Sequence, residues 1–453
     1  MDQPSLLPTG DPFPAAAPPE TAAAPRYQRA DRRQMRLQVI DLESLVPADH
    51  RVRTIWAFVE GLDLSALYGR IRAVEGHAGR SPIDPKILLA LWLHATSEGI
   101  GSARALADLC EAHAAYQWLC GGVSVNYHTL SDFRVEHERI LDDLLTQSVA
   151  VLMKQGVVSL DRVAQDGMRT RASAGAASFR REKTLQECLE VAQAEVARLR
   201  TELEEQPGAS RSREQAARER AAQERQARVE EALRQLPAIR EKKEAQAQQK
   251  VADKEMTPEQ QEQASQRTEP RCSTTDPDAR VMKMPDGGYR PGYNVQLATA
   301  TDTQVIVGVE VSNSGGDYGQ MVPMAEQIQE RHDRLPGDML VDGGFAKKED
   351  IEKLDEQEVT VYAPVQAPKT SKRSAYEPRA GDSAAVGAWR VRMGTPEGQA
   401  IYRQRAATAE CVNAAARNRG LYQFTVRGLR KVRAVALLFA LTHNCLRAVA
   451  LLG

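Results

Sequence analysis

The sequence predicts an α+β fold: a helical N-terminal region, then a mixed α/β core interrupted by a coiled-coil helical hairpin. Three observations carry this. From Leu45 to Gly156 apolar residues recur at helical spacing between cap signals and glycine stops. Between Phe179 and Lys250 the composition shifts to Glu, Arg, Gln and Ala, and Leu185, Leu189, Ala192, Val196, Leu199 and Leu203 fall at 4-3-4-3-4 spacing, a coiled-coil seam. Beyond Tyr293, short β-branched runs alternate with helical patterns.

These shifts divide the chain. Residues 1–35 are a Pro/Ala-rich tail whose composition predicts disorder. Residues 36–156 form a helical N-terminal domain with helix-turn-helix character, although periodicity alone favours a plain helical bundle. Residues 157–178 and 276–453 make the core, and residues 179–275 the coiled insertion and its polar linker.

In "SPIDPKILLALWLHATSEG", Asp84 suits the N-cap, Pro85 the first helical position and Gly99 the stop. Ser102 can cap a second helix. A short third, "AAYQWLC", ends at Gly121-Gly122, and a fourth runs from about Thr129 to Gln155. "VVSLDRVAQ" reads as a strand that ends on Asp166. "QPGAS" breaks the coiled seam, and Val229, Leu233, Leu236 and Ile239 mark the returning helix. "YNVQLATA" and "TQVIVGVEVS" read as a hairpin about Thr301-Asp302. A helix near 320–332, the strand "DMLVDGGF" with Asp342 at its end, a helix at 347–355 and the strand "EVTVYAP" follow. A basic irregular stretch at 368–393, with Trp389 in it, precedes a helix that Thr395 caps and that carries Glu410.

The bulk numbers exclude more than they assign. With 453 residues, 42% hydrophobic, there is material for a sizeable aliphatic core. The six cysteines form no C-x-x-C pair, and His50, His128 and His443 lack ligand spacing, so neither a zinc site nor a disulfide framework is indicated. No secretory signal and no run of 18 apolar residues is present, which points to the cytoplasm and away from a membrane. Net charge is −1, yet between Ala400 and Gly453 nine arginines and lysines accompany a single acid, Glu410.

That lone acid is the informative residue. An acid at a strand end is ordinarily a turn or cap residue, and one on a helix ordinarily a surface charge. Two strand-end acids and one helical acid, in this order, can instead converge. Carboxylate oxygens suit Mg²⁺, and two such ions about 3.5–4 Å apart can activate an attacking oxygen and stabilise a leaving one in phosphodiester cleavage. The cations then have a role in gripping DNA phosphates. Arg403, Glu410 and Arg417 stand seven apart, on one helical face.

At these residues the chain resembles bacterial insertion-sequence transposases of the DDE class. "PADHRVRTIWAFVEGLDLSALY", "GRSPIDPKILLALWLHATSEGIGSARALADLC" and "NYHTLSDFR" resemble their helical N-terminal domain. "AQDGMRTRASAGAASF", "LVDGGFAKKEDI" and "YRQRAATAECVNAAARNRGL" resemble the three catalytic blocks. The resemblance implies a ribonuclease-H-like core and makes Asp166, Asp342 and Glu410 the catalytic and metal-ligating acids. It implies Mg²⁺ as cofactor, as two ions with Mn²⁺ able to substitute. It implies double-stranded DNA as partner, both terminal inverted repeats and target, and a homodimer in the DNA complex, near the bacterial nucleoid. Arg134, Tyr402, Arg403, Arg405, Arg417 and Arg419 are the expected DNA-binding residues. The third block departs from relatives at Cys411-Val412-Asn413-Ala414, where an aromatic residue and glycine are common, and Arg417 stands where many have lysine. The alternatives are a catalytically inactive DNA-binding descendant, against which the three intact acids argue, and a coiled-coil scaffold, which leaves the acid order unexplained.

Overall fold

The computed structural model describes residues 39, 41–72, 81–205, 213–252, 269–366 and 374–452. The expected tail at 1–35, the breaker "QPGAS" and most of the polar linker lie outside these residues apart from their edges. Within them the chain is α+β, as its patterning requires.

Seven helices come first: α1 (Arg51–Glu60), α2 (Ser65–Tyr68), α3 (Pro85–Ser97), α4 (Ala103–Ala112), α5 (Ala114–Cys120), α6 (Tyr127–Glu136) and α7 (Glu138–Lys154). The caps are those the sequence offers. Asp84 accepts from the Lys86 amide and Ser102 from that of Ala105, each satisfying an amide that a helix start leaves orphaned. The single helix expected from Thr129 to Gln155 is instead two, broken at His137, with Asn126 capping the first.

One six-stranded sheet follows. Its strands are β1 (Arg162–Arg171), β4 (Arg280–Lys283), β5 (Tyr289–Ala300), β6 (Ile306–Ser312), β7 (Asp338–Leu340) and β8 (Thr360–Tyr362). The order is β4-β5-β1-β7-β8, with β6 also on β5. β5 runs antiparallel to β1, β4 and β6, whereas β1, β7 and β8 are parallel. A short ladder of β2 (Phe179–Arg180) with β3 (Cys272–Ser273) closes the neck of the insertion. Its helices α8 (Glu182–Glu205) and α9 (Arg213–Ala252) run antiparallel, with Arg240 paired to Glu182 at 2.7 Å and Leu185 packed with Val229, Leu236 and Ile239.

The remaining helices are α10 (Met321–His332), α11 (Lys348–Glu356), α12 (Ala384–Gly394), α13 (Pro396–Arg405), α14 (Cys411–Asn418) and α15 (Leu429–Leu452). Helix α12 occupies what reads as an irregular basic stretch. Ser383 caps it, and Trp389 is buried there with its Nε1 donating to the Ala363 carbonyl at 3.0 Å.

Helix α15 alone among the described helices is long and apolar enough to cross a membrane, but it packs against α3, α6, α7 and β6. Asn444 ties it to the sheet by bonding both the amide and the carbonyl of Ile306 at 2.8 Å. One hydrophobic cluster runs from Leu89 and Trp92 through Leu145 and Val309 to Phe439. The helical region and the sheet therefore share a core, and a fragment ending near residue 156 would expose it.

Two buried histidines give this core a pH signature. Burial lowers the imidazole pKa of both His94 and His443 to about 4, with Glu98 partly opposing the shift at His94. The unfolded chain binds these protons near pH 6.5 and the folded chain only near pH 4. Stability is therefore full above the unfolded value and is lost as pH falls toward the folded one. The melting temperature should drop between about pH 7.5 and about pH 5; an unchanged value in calorimetry would refute this account.

Candidate active site

The sheet register sets two acids level. β1 and β7 are parallel, with Ala164 beside Leu340. Asp166 lies two residues further on in β1, on the face of Ala164, and Asp342 lies two residues past Leu340. Asp166 is not at a strand end, as its sequence suggests, but in the middle of β1, opposite Leu297 of β5. Asp342 lies just past β7, its Oδ1 accepting from the Gly344 amide at 2.7 Å.

The third acid arrives on a distorted helix. The expected continuous helix is interrupted between α13 and α14 by a π-helical turn, Ala406–Glu410. Such turns place an extra residue in a helix and are frequent at functional sites. The π turn separates Arg403 from Glu410, so the seven-residue register holds only from Glu410 to Arg417. Arg405, Thr408, Ala409, Val412, Asn413 and Ala416 form the buried stripe, and Glu410 is exposed.

Arg405 joins the acids. Its Nη2 lies 3.0 Å from Asp166 Oδ1 and its Nη1 2.9 Å from Glu410 Oε1. The expectation that Arg405 grips phosphate is corrected: it is 8% exposed and its guanidinium is committed to carboxylates. Burial works against its charge, but Asp166, Tyr402, Asp342 and Glu410 outweigh burial and hold its pKa above the usual value. At Asp166 burial dominates and raises the carboxyl pKa; Arg405 opposes this, and the nearby charges of Asp342 and Asp317 reinforce it. Three negative groups thus share one cation's surroundings.

Asp166 is clamped at both oxygens. Oδ1 also accepts from the Gly167 amide at 3.0 Å, and Oδ2 accepts from Asn413 Nδ2 at 2.9 Å. Beneath it lies a buried polar strip that sequence reasoning missed. Asp317 is 6% exposed. Its Oδ1 accepts from Asn294 and Gln296 at 2.7 Å each, and its Oδ2 from Arg169 at 2.9 Å. The signal lies in the alternation of Asn294 and Gln296 in "YNVQLATA", which puts both on one face of β5.

The other expected DNA contacts divide. Arg403 and Arg417 are exposed, Arg419 is partly buried, and Tyr402 is half-buried against a hydrophobic cluster that includes Val341, Phe345 and Val361. Arg134 does not face outward. It is 6% exposed, donates to the Gly101 carbonyl, and lies 4.6 Å over the Trp92 ring. A guanidinium held over an indole and bonded to a carbonyl is part of the packing, not a free phosphate ligand.

In type, the three carboxylates suit a divalent cation, since all their donors are oxygen. Among the described residues, however, no three such groups stand close enough to cage an ion as they are. The positive charge that Asp166 and Glu410 share is the Arg405 guanidinium.

Comparison with known proteins follows the same division of the chain. Residues 40–136 match the family described as Transposase domain (DUF772), and residues 270–445 match Transposase DDE domain. No curated protein and no solved structure matches the chain. The two family matches flank the helical insertion and together span more than half of the sequence, and with the acids in their expected order they identify the chain as a member of the DDE-class insertion-sequence transposases.

Proposed function

We propose that this transposase binds the terminal inverted repeats of its own element, cleaves the DNA at those ends and joins them to target DNA. The observation that carries this reading is the convergence of Asp166 and Glu410 on Arg405, with the charge of Asp342 felt at both Asp166 and Arg405. The strand order β6-β5-β1-β7-β8, antiparallel on one side of β1 and parallel on the other, supports a ribonuclease-H-like core assembled from residues 157–178 and 276–453. The antiparallel α8 and α9 support a coiled-coil hairpin inserted into that core, available to a second protomer in a DNA-bound dimer.

Asp166, Asp342 and Glu410 would hold Mg²⁺, which supplies charge neutralisation at the attacking and leaving oxygens of phosphodiester displacement. The chain's own residues do the rest. Asp166 is held in place from three sides, and Arg405 neutralises the site until it is loaded. Exposed Arg403 and Arg417 lie along the same helical segment, where they can grip the DNA backbone. Tyr402 and Arg419 border that surface.

The test is nicking and strand transfer by the full-length protein on supercoiled plasmids that carry the element's ends or a scrambled version of them. Mg²⁺-dependent products confined to the genuine ends are expected. A protein that binds those ends and yields no product with Mg²⁺ or Mn²⁺ is the inactive descendant instead.

A further inference from the structure

We propose that Asn413 is a positioning residue for Asp166, fixing the carboxylate's orientation so that it can serve a divalent cation. The inference rests on the reading of Asp166 as a metal ligand.

The sequence context makes Asn413 anomalous. It lies in the buried stripe of the helix, between Ala409, Val412 and Ala416, and is 4% exposed. An amide there loses its hydration, a cost met only when its donors and acceptors find partners. A leucine would fill such a stripe at no polar cost.

Among the described residues, the side chain makes one hydrogen bond, from Nδ2 to Asp166 Oδ2 at 2.9 Å. The amide must face the carboxylate with its nitrogen, because its oxygen there would oppose a second acceptor. Its Oδ1 is then left buried without a partner. A purely structural asparagine would have both ends satisfied.

The π turn is what delivers it. Asn413 is the third residue of α14, three after Glu410, where the turn ends. Each residue in an α-helix turns by about 100°, so without the extra residue the amide would swing away from β1 while Arg405 stayed. Arg405 and Asn413 together take one oxygen each of the same carboxylate. Arg405 can be exchanged for another cation; Asn413 carries no charge and can keep its bond when one arrives. Partners of this kind, behind a metal ligand, set ligand orientation, and their loss costs about 10- to 100-fold in metal affinity or activity.

The experiment compares Asn413→Ala and Asn413→Leu with wild type in the full chain. Leucine fills the apolar stripe and guards against a folding defect. Three quantities are read: Mn²⁺ affinity without DNA by electron paramagnetic resonance, the Mg²⁺ concentration at half-maximal single-turnover nicking, and DNA affinity by gel shift. Both metal readings should weaken by about 10- to 100-fold, with DNA affinity unchanged and Asn413→Leu still unfolding in one cooperative transition. Wild-type metal readings in Asn413→Leu overturn the proposal. Asp166→Asn runs beside them: if it is inactive while Asn413→Leu keeps wild-type metal affinity, only the positioning role falls. If Asp166→Asn itself nicks normally, the catalytic reading and this inference fall together.

Discussion

Glu410→Gln, Asp166→Asn and Asp342→Asn should each reduce Mg²⁺-dependent nicking by about three orders of magnitude and leave DNA binding in place. A metal clamp supplies several kcal/mol of charge stabilisation in such a displacement, and each 1.36 kcal/mol is roughly tenfold in rate. Glu410 is the sharpest test of the three. Its side chain is 57% exposed and paired with Arg405, and an exposed carboxylate in an ion pair ordinarily contributes about 0–1 kcal/mol. On that ordinary reading, Glu410→Gln would barely change anything. The catalytic reading predicts a collapse, because Glu410 and Asp166 meet at one guanidinium. DNA affinity should hold or rise slightly, as one charge that repels phosphate is gone. Double substitutions should add little to single ones, since groups that act as a unit do not combine additively. The measurement is nicking and gel shift on the same DNA for each variant. Glu410→Gln nicking at the wild-type rate would reduce the residue to Arg405's partner.

Much of this arrangement is legible in the sequence, and the misses have physical causes. Caps are local chemistry, so Asp84, Ser102 and Thr395 read correctly as helix starts. Element order is local too, which is why the three acids can be assigned to their elements from the residue pattern alone. Strand ends are set by pairing with distant segments. β1 extends through Asp166 because β5 continues beside it as far as Gly292, well beyond the apolar run that suggests a strand. The π turn leaves no mark in an alanine-rich helix whose residues suit either geometry. Arg134 looks like a DNA contact because arginine is usually exposed; only the approach of Trp92 in α3 and of Gly101 in the α3–α4 connection buries it. Trp389 reads as a loop residue because Gly387 and Gly394 obscure the helical pattern around it. Asp317 sits in a turn, and only the folded sheet brings Asn294, Gln296 and Arg169 onto it.

Gly167→Ala should destabilise the protein by about 3 kcal/mol or more, through breakage of a buried charge network, and should also disable cleavage. A Cβ at Gly167 would stand 2.0 Å from Asp317 Oδ1 and 2.5 Å from Gln296 Nε2. Overpacking alone costs about 1–3 kcal/mol when a neighbour can yield. Here the neighbour is not free to yield. Asp317 is held by Asn294, Gln296 and Arg169, and moving it strips a buried carboxylate of its donors. If β1 moves instead, the Gly167 amide leaves Asp166 Oδ1 and the first acid shifts from Arg405 and Asn413. Either response is costly, and against a total stability of about 5–15 kcal/mol it is a large fraction. This separates Gly167→Ala from Asp166→Asn, which should affect cleavage far more than folding. The clash also predicts coupling. Asp317→Ala removes the carboxylate that the methyl group would strike, so the double variant should be destabilised by less than the sum of the single ones. Denaturant melts of the four proteins measure this directly. If Gly167→Ala unfolds at the wild-type midpoint, Asp317 has room to move, and the close fit between it and β1 does not hold Asp166 in place.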